Sequence, residues 1–386
     1  MGAPQTRARE IEPADFEQEL RHGANVVVLD TRAPDAVAAW RVDPGAARFV
    51  NVTEDAIAQD PEAALADLPE GVPVRVICNA GNQSLRVTEA IADRVADARS
   101  VRGGMLAWSR LLVESELALP TPTQVTQFRR EARGCLSYLV VSGAEALVVD
   151  PAPDVEQYVA RAEALGARIA HVVDTHVHAD HLSGARELAA RTGAALHLSE
   201  ESLARGVSYA EKVQPIRHGD VVPLGSARIE VVGLPGHTTD MTGLLVDGVA
   251  LIGGDSLFAD SVARPDLQAG DEGADEAARV LHRSLAERVG ALGDDVTLLP
   301  CHYAGGRLTG PIAPTLGEVR AAVPELSLDE DAFVERVLSG MPPRPTNYLS
   351  IIGVNLGEDL PTDDAARLEV GANNCAARAD WGLACR

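Results

Sequence analysis

The chain has 386 residues, 46% hydrophobic and 24% charged, with 57 acidic side chains against 34 basic ones and a net charge of −23. The length suggests two domains or three, and the composition is that of a soluble globular protein. Such a negative field repels phosphate backbones and anionic lipid headgroups, so neither nucleic acid nor a membrane is expected as a partner.

The first 118 residues read as alternating strand and helix. The runs NVVVLD (25–30) and VPVRVIC (72–78) are short, apolar and of buried-strand type, and the helical stretch 84–96 follows the second. This pattern implies a small α/β unit with a parallel sheet. Its N-terminal stretch, MGAPQTRARE, is charged and lacks the apolar core of a signal peptide. The segment VICNAGNQSLR (76–86) ends a strand at Cys78, loops through Asn79, Ala80, Gly81, Asn82 and Gln83, and enters a helix at Ser84. Backbone N–H groups and a helix N-terminus there favour a thiolate or persulfide anion. That help matters, because an ordinary thiol of pKa ~8.5 is only about 3% ionised at neutral pH.

LALPTPTQ (117–124) reads as a linker, and a second α/β region begins near Val125. Its strands include CLSYLVV, EALVVD, AHVVDT, ARIEVVG, TGLLVD, VALIGGD and VTLLPC. Beyond Gly305 the pattern weakens into a helical stretch, VRAAVPELSLDEDAFVERVLSG, and an extended, proline-set tail, MPPRPTNY. The acidic run DEGADEA (271–277) reads as a solvated loop and helix start. The expected division is 1–118, a linker at 119–127, 128–305, and an extension at 306–386 packing on the second domain.

DTHVHADHLSG (174–184) brings His176, His178, Asp180 and His181 together. On a helix His176 and His178 would face nearly opposite ways, whereas a loop leaving the strand AHVVDT lets these side chains converge. LPGHTTD adds His237, IGGDSLF adds Asp255 and LLPCHYAGG adds His302, each after an apolar run. Imidazole and carboxylate in combination suit zinc, iron or manganese.

HVHADH followed by PGH, GGD and a late PCH resembles the metallo-β-lactamase superfamily over roughly 128–305. The resemblance implies an αβ/βα sandwich of two sheets flanked by helices, with the site along one edge. In its binuclear zinc hydrolases, of the glyoxalase II type, the residues matching His176, His178 and His237 hold one metal. Those matching Asp180, His181 and His302 hold the other, and Asp255 bridges. In the persulfide dioxygenases one Fe(II) is held by the equivalents of His176, His237 and Asp255. The ligand list alone does not decide between one iron and two zincs per chain. GCLSYLV (134–140) and SLFADSVARPDLQAG (256–270), with Arg264 and Asp266, resemble the dioxygenases. Arg264 and Asp266 read either as an ion pair supporting the ligands or as a substrate contact.

The Cys78 loop, with VLDTR (28–32) and GGMLAW (103–108), resembles a rhodanese over about 9–115. Its loop length matches single-sulfur donors. Many rhodaneses carry arginine where Gln83 stands, so a dianionic thiosulfate lacks a cationic partner here. An inactive rhodanese module serving as an interaction surface is the alternative.

Together these resemblances imply an enzyme of sulfur metabolism, and the odd, scattered cysteines suggest a reducing cytoplasm. One Fe(II) would serve the oxidation of a low-molecular-weight thiol persulfide, of glutathione type or another, by O2 to sulfite and thiol. Cys78 would carry sulfane sulfur, and His178, Asp180, His181 and His302 would orient water or substrate. A binuclear zinc thioester hydrolase is the alternative. The oligomeric state is left open, a homodimer included. The five scattered cysteines fit a reducing compartment better than a disulfide framework. Cys135 reads as core, Cys301 as a neighbour of the ligands, and Cys375 and Cys385 as tail residues without metal spacing. His22, His171, His197, His218 and His282 read as surface or core residues, and Tyr303 as core.

Overall fold

Val27–Asp30 is buried along its whole length, as an apolar run inside a parallel sheet must be. In the computed structural model it lies between Pro73–Ile77 and Arg48–Asn51, and Ala96–Val101 and Glu10–Ile11 complete a five-stranded parallel sheet. The described residues are 9–304, 310–345, 347–359, 368–369 and 374–378. The first eight residues, Gly305, Gly306, Thr346 and Cys385 lie outside them. Side chains alternate across this sheet. Val28 and Ile77 pack with Phe16, Trp40 and Trp108, whereas Val27, Leu29, Val74 and Val76 pack with Val87 and Ile91.

The helix expected over 84–96 spans Asn82–Ile91, and Ala96–Val101 is a strand. Its backbone pairs with Pro73–Ile77 on one side and Glu10–Ile11 on the other, which overrides a sequence with little β character.

The remaining strands form two further sheets. A seven-stranded sheet runs in the order Val213–Ile216, Ala195–Ser199, Arg168–Val173, Glu145–Val149, Cys135–Ser142, Gln124–Arg130, Leu112–Leu117. A five-stranded sheet runs Val221–Leu224, Ala227–Gly233, Thr242–Val246, Ala250–Gly254, Thr297–Pro300. They pack face to face through Tyr138, Val140, Leu147, Val149 and Val173 from one and Ile229, Val231, Leu244, Ile252 and Leu299 from the other. Residues one position along, such as Leu139, Val148 and Val172, point outward onto the helices Glu156–Ala164 and Ala185–Thr192. Asp266–Ser284, Leu316–Ala322 and Glu330–Ser339 cover the opposite outer face. The layering is αβ/βα.

Where the sequence suggests a linker, the chain makes a hairpin. Leu112–Leu117 pairs antiparallel with Gln124–Arg130, so Pro120 and Pro122 sit between two paired strands of the seven-stranded sheet. The helical stretch 319–340 is divided by Pro324, and Asp329 caps the second helix through Ala332 N. A helix at Tyr348–Asn355, which sequence missed, follows the proline-set segment. The acidic run 271–277 lies within Asp266–Ser284, just past a break at Gly270. No helix among the described residues is long and apolar enough to cross a membrane.

The turn after Arg130 enters the core of the first sheet. Trp40 Nε1 donates to Ala132 O at 2.9 Å, Ala132 packs with Trp40 and Trp108, and Arg130 donates to Ser109 O.

Candidate metal centre

The strand Arg168–Val173 lies inside the seven-stranded sheet and releases its chain at Asp174, so the loop that follows starts from a fixed point. The strand Ala250–Gly254 delivers Asp255 from the facing sheet. Gly254 has φ +53°, and a Cβ there would fall 2.1 Å from Met241 Cε and 3.0 Å from Thr175 Oγ1, so this approach requires glycine.

His176 Nε2 lies 3.7 Å and His237 Nε2 3.6 Å from Asp255 Oδ2, with all three side chains fully buried. None of these atoms has a hydrogen-bond partner. Buried polar atoms are normally satisfied, so three orphans converging within 4.8 Å mark a cation position. Ligands ~2.1 Å from one ion have separations of this size. The other ring nitrogens are occupied. His237 Nδ1 donates to Arg264 O at 2.7 Å, and His176 Nδ1 lies 3.0 Å from Thr175 Oγ1, which itself donates to Asp150 Oδ2. These contacts set the tautomers that turn both Nε2 lone pairs inward. Burial and the neighbouring His178 and His237 hold His176 well below the ordinary imidazole value, leaving it neutral and able to ligate. Burial pushes the Asp255 carboxyl up, but His302 and His237 outweigh it and hold it down.

His178 Nε2 pairs with Asp150 Oδ1 at 3.1 Å, while its buried Nδ1 has no partner. Asp150 also accepts from Thr175 N at 2.7 Å and from the Cys301 thiol at 3.0 Å. Asp180 and His302 are joined at 2.8 Å, His302 Nδ1 meets Asp255 Oδ1 at 2.6 Å, and His181 Nδ1 meets Asp180 Oδ1 at 3.0 Å. Burial alone would lower His181, and Asp180 reverses that and holds it well above the usual range. All seven donors picked out in sequence therefore meet at one end of the sandwich.

Besides the supports Asp150 and Thr175, three further participants were invisible in sequence. Cys135, expected as core, is buried but lies with Asp180, His181 and His302. Its position follows from an antiparallel bridge between Cys135 and His302 that only the folded sheet creates. Burial pushes its thiol up, and His181 and His302 overcome this and bring it down to about 6. Cys375, expected as a tail residue, lies with Asp180, Asp255 and His302, because the segment around it returns to pair at Ala263–Ala376. Asn355 Nδ2 donates to His178 O and His181 O, both at 2.9 Å, clamping the ligand loop from behind.

Arg264 forks onto Asp266 at 2.7 and 3.0 Å, and its Nη1 donates to Pro343 O and Asn374 O. The pair thus ties the His237 support to the C-terminal extension. Tyr303 is buried, with its hydroxyl 3.3 Å from Glu131.

The chain matches the family model described as metallo-beta-lactamase superfamily over residues 130–302 and that described as rhodanese-like domain over 12–111. It is 29% identical over 226 residues to persulfide dioxygenase ETHE1, mitochondrial, of Homo sapiens, covering 56% of this chain and 82% of that protein. The Bos taurus protein of the same name is 30% identical over 193 residues, covering 50% of this chain and 70% of its own length. The chain belongs to the metallo-beta-lactamase superfamily. A hydroxyacylglutathione hydrolase of a Polaromonas species, 31% identical over 47% of this chain and 68% of its own, shows how broad the superfamily is. Among solved structures, ETHE1 from Myxococcus xanthus has 28% identity and a TM-score of 0.52, covering 60% of this chain and 96% of that one. A metallo-beta-lactamase superfamily fold with a two-histidine, one-carboxylate set is thus joined to a rhodanese-like domain.

In that rhodanese-like domain Cys78 stands at the end of Pro73–Ile77. Its Sγ accepts from Gly81 N at 3.1 Å and Ser84 Oγ at 3.2 Å, and its side chain is buried. Gly104 packs against this loop so tightly that a Cβ would fall 2.3 Å from Cys78 O. Asn79, Ala80 and Asn82 are exposed. Gln83 Nε2 donates to Thr31 O at 3.2 Å, and Arg86 is paired with Glu54 at 2.9 Å on the surface. Arg86, the first cation after the loop, is therefore engaged elsewhere.

Proposed function

We propose that this protein oxidises the persulfide of a low-molecular-weight thiol with O2, at one Fe(II) held by His176, His237 and Asp255, and that Cys78 carries sulfane sulfur. The observation that carries this reading is the set of two imidazole nitrogens and one carboxylate oxygen, buried and unpartnered, that converge on a single point. Two histidines and one carboxylate leave open positions on Fe(II), which when bound supplies the redox chemistry that brings O2 and a sulfur ligand together. Similarity to proteins named persulfide dioxygenase supports the substrate class. The balance is simple. The terminal persulfide sulfur gives four electrons to O2, water supplies the third oxygen, and the S–S bond breaks to release sulfite, thiol and protons.

The chain's own groups do the rest. Arg264 O and Thr175 Oγ1 hold the two imidazoles in their ligating tautomers. Complete burial excludes bulk water from the donors, which limits loss of oxidising equivalents to solvent. His302 lies between Asp180 at 2.8 Å and Asp255 at 2.6 Å, and so steadies the carboxylate of the ligand set from behind.

A second reading is a binuclear zinc thioester hydrolase, favoured by the buried, unpartnered Nδ1 of His178 beside His176. Metal analysis of anaerobically purified protein with O2 uptake on a persulfide separates the two. About one iron per chain and persulfide-dependent O2 uptake is the expected result. Two zincs with thioester hydrolysis and no O2 uptake would overturn the first reading.

A further inference from the structure

We propose that the cleft between the helices Ala185–Thr192 and Tyr348–Asn355 is a binding site for a small organic anion, a carboxylate or phosphate ester on an apolar body. The cleft has a volume of about 510 Å³, within the range of ordinary small-molecule sites. Ser183 and Asn355 form its inner wall, so it lies behind the ligand loop. None of His176, His237, Asp255 and Cys78 lines it, and the site does not depend on the reaction proposed above.

Local structure builds both the floor and the rim. Leu196 and Ala189 are buried and Val354 is half-buried, which gives an apolar floor. Arg186, Glu187 and Lys212 stand exposed at the rim. Tyr209 fixes the two cations. Its hydroxyl donates to Asn355 O at 2.9 Å, which anchors the ring, and the Arg186 guanidinium lies 4.6 Å from the ring centroid. A guanidinium stacked on a ring is held flat while its N–H fork stays available to a ligand. The turn that follows closes with Lys212 N on Tyr209 O at 3.0 Å, and so brings the chain's only lysine to the same cleft.

The groups left to read a ligand narrow its class. The Asn355 amide is engaged by Ser183 N, His178 O and His181 O, and Ser183 Oγ by Asp174 and Ala185 N. These side chains shape the wall and leave recognition to charge. Nearby Arg191, Arg205 and Arg217 each pair with a carboxylate, whereas among the described residues neither Arg186 nor Lys212 has an ion-pair partner. On a chain carrying −23, two such cations make a local point that attracts an anion instead of repelling it. Glu187 is the opposing charge, but as the next residue along it emerges about 100° round the helix from Arg186. A guanidinium fork takes carboxylate or phosphate oxygens in pairs, and the apolar floor takes the body that carries them.

The test is calorimetric titration of the full-length, metal-loaded protein with benzoate and with phenyl phosphate, joined to acylation of Lys212. Because Lys212 is the only lysine, its protection from an amine-acylating reagent, read by mass spectrometry of the peptide that holds it, reports this cleft alone. At least one probe is expected to bind and to protect Lys212, and the tighter of the two identifies the headgroup. Benzyl alcohol, which lacks the charge, should bind about tenfold or more weakly. Inorganic phosphate, which lacks the body, should bind more weakly than phenyl phosphate. Arg186→Gln and Lys212→Gln, both at exposed positions, should each weaken the bound probe, Arg186→Gln by about tenfold or more, and salt should weaken it further. Glu187→Gln should tighten it. Arg191→Gln, on the same helix but outside the cleft, should bind as wild type, as should His237→Ala and Cys78→Ser. Failure of both probes to bind, binding that leaves Lys212 unprotected or Arg186→Gln unaffected, or binding lost in His237→Ala or Cys78→Ser would overturn the proposal. A failed persulfide reading would instead show as absent O2 uptake with probe binding intact.

Discussion

The candidate metal centre and the Cys78 loop, both proposed above to handle sulfur, each stand at the end of a strand, yet they are built in opposite ways. Around the metal centre every donor is buried, and its other face is held by a second group. Arg264 O supports His237, Thr175 supports His176, and Asp150 supports His178. Around Cys78 the stabilising contacts are one backbone N–H and one hydroxyl, and three of the loop residues are exposed. The difference fits what each is proposed to do. A cation needs desolvated donors fixed before it arrives, and the free energy of binding it offsets the cost of burying them. A sulfur carrier must meet a donor and an acceptor in turn, so its loop stays open and relies on backbone dipoles, which need no side chain of their own.

The sharpest way to break the comparison is to remove a donor from each side. His176→Ala, His237→Ala and Asp255→Ala should each lower iron affinity by well over ~100-fold, beyond what loss of a supporting residue costs, and abolish O2 uptake. Elemental analysis checks this, and any of the three that keeps full iron content removes that residue from the set. Cys78→Ser should abolish sulfurtransferase turnover while leaving persulfide-dependent O2 uptake nearly intact. Equal sulfurtransferase rates in Cys78→Ser and wild type would show that the loop is a scaffold.

The buried side of the comparison also predicts a pH dependence. Arg130 and Glu369 pair at 2.6 Å where the first sheet's core meets the metal domain, and Glu369 accepts from Leu182 N on the ligand loop. Burial pushes the Glu369 carboxyl up, but Arg130 overrides this and brings it down to about 2. A depressed carboxyl contributes stability that is present above its unfolded value of ~4.3 and is lost as pH falls toward about 2. Glu369→Gln should therefore lower unfolding free energy at neutral pH by on the order of 3 kcal/mol, with the gap to wild type closing below pH ~4. A gap independent of pH in denaturant titrations would mean the pair contributes through packing rather than charge.

Sequence made the α/β pattern legible and singled out the Cys78 loop and the seven histidines and aspartates that the fold gathers, because these stand near the ends of apolar runs where a strand must release its chain. It did not reveal residues brought in by long-range pairing. Cys135 reads as one more apolar-strand residue until its bridge to His302 is known. Cys375 and Asn355 lie in segments whose local pattern is weak and whose places are set by docking onto Ala263 and the ligand loop. Leu112–Leu117 was hidden for the same reason, since its alternating glutamates mark an edge strand and its partner lies beyond two prolines.

The smallest expected effect bears on the open side of the comparison. The Cys78 loop has Gln83 where many rhodaneses have arginine, and Arg86 is turned to Glu54, 62% exposed and already paired. A thiosulfate dianion approaching Cys78 therefore meets two dipolar donors, while the Arg86 guanidinium is held by Glu54, on a chain carrying −23 overall. A persulfide is a monoanion with an organic body and needs less positive potential. Wild type should accordingly prefer a persulfide to thiosulfate as sulfur donor. Gln83→Arg places a guanidinium on the residue whose amide now reaches Thr31 O, at the rim of the loop. A charge-assisted hydrogen bond is worth roughly 1.5–3 kcal/mol, so kcat/KM for thiosulfate should rise about tenfold or more, mainly through KM. The gain should shrink as salt is raised, because the loop is exposed and the added charge is screened over ~8–10 Å at physiological ionic strength. The persulfide rate should change far less. Steady-state kinetics with both donors at low and high salt measure all of this. Efficient thiosulfate turnover by wild type with no response to Gln83→Arg would mean that Gly81 N and Ser84 Oγ suffice for a dianion, and that backbone dipoles alone can do what the buried centre achieves with full charges.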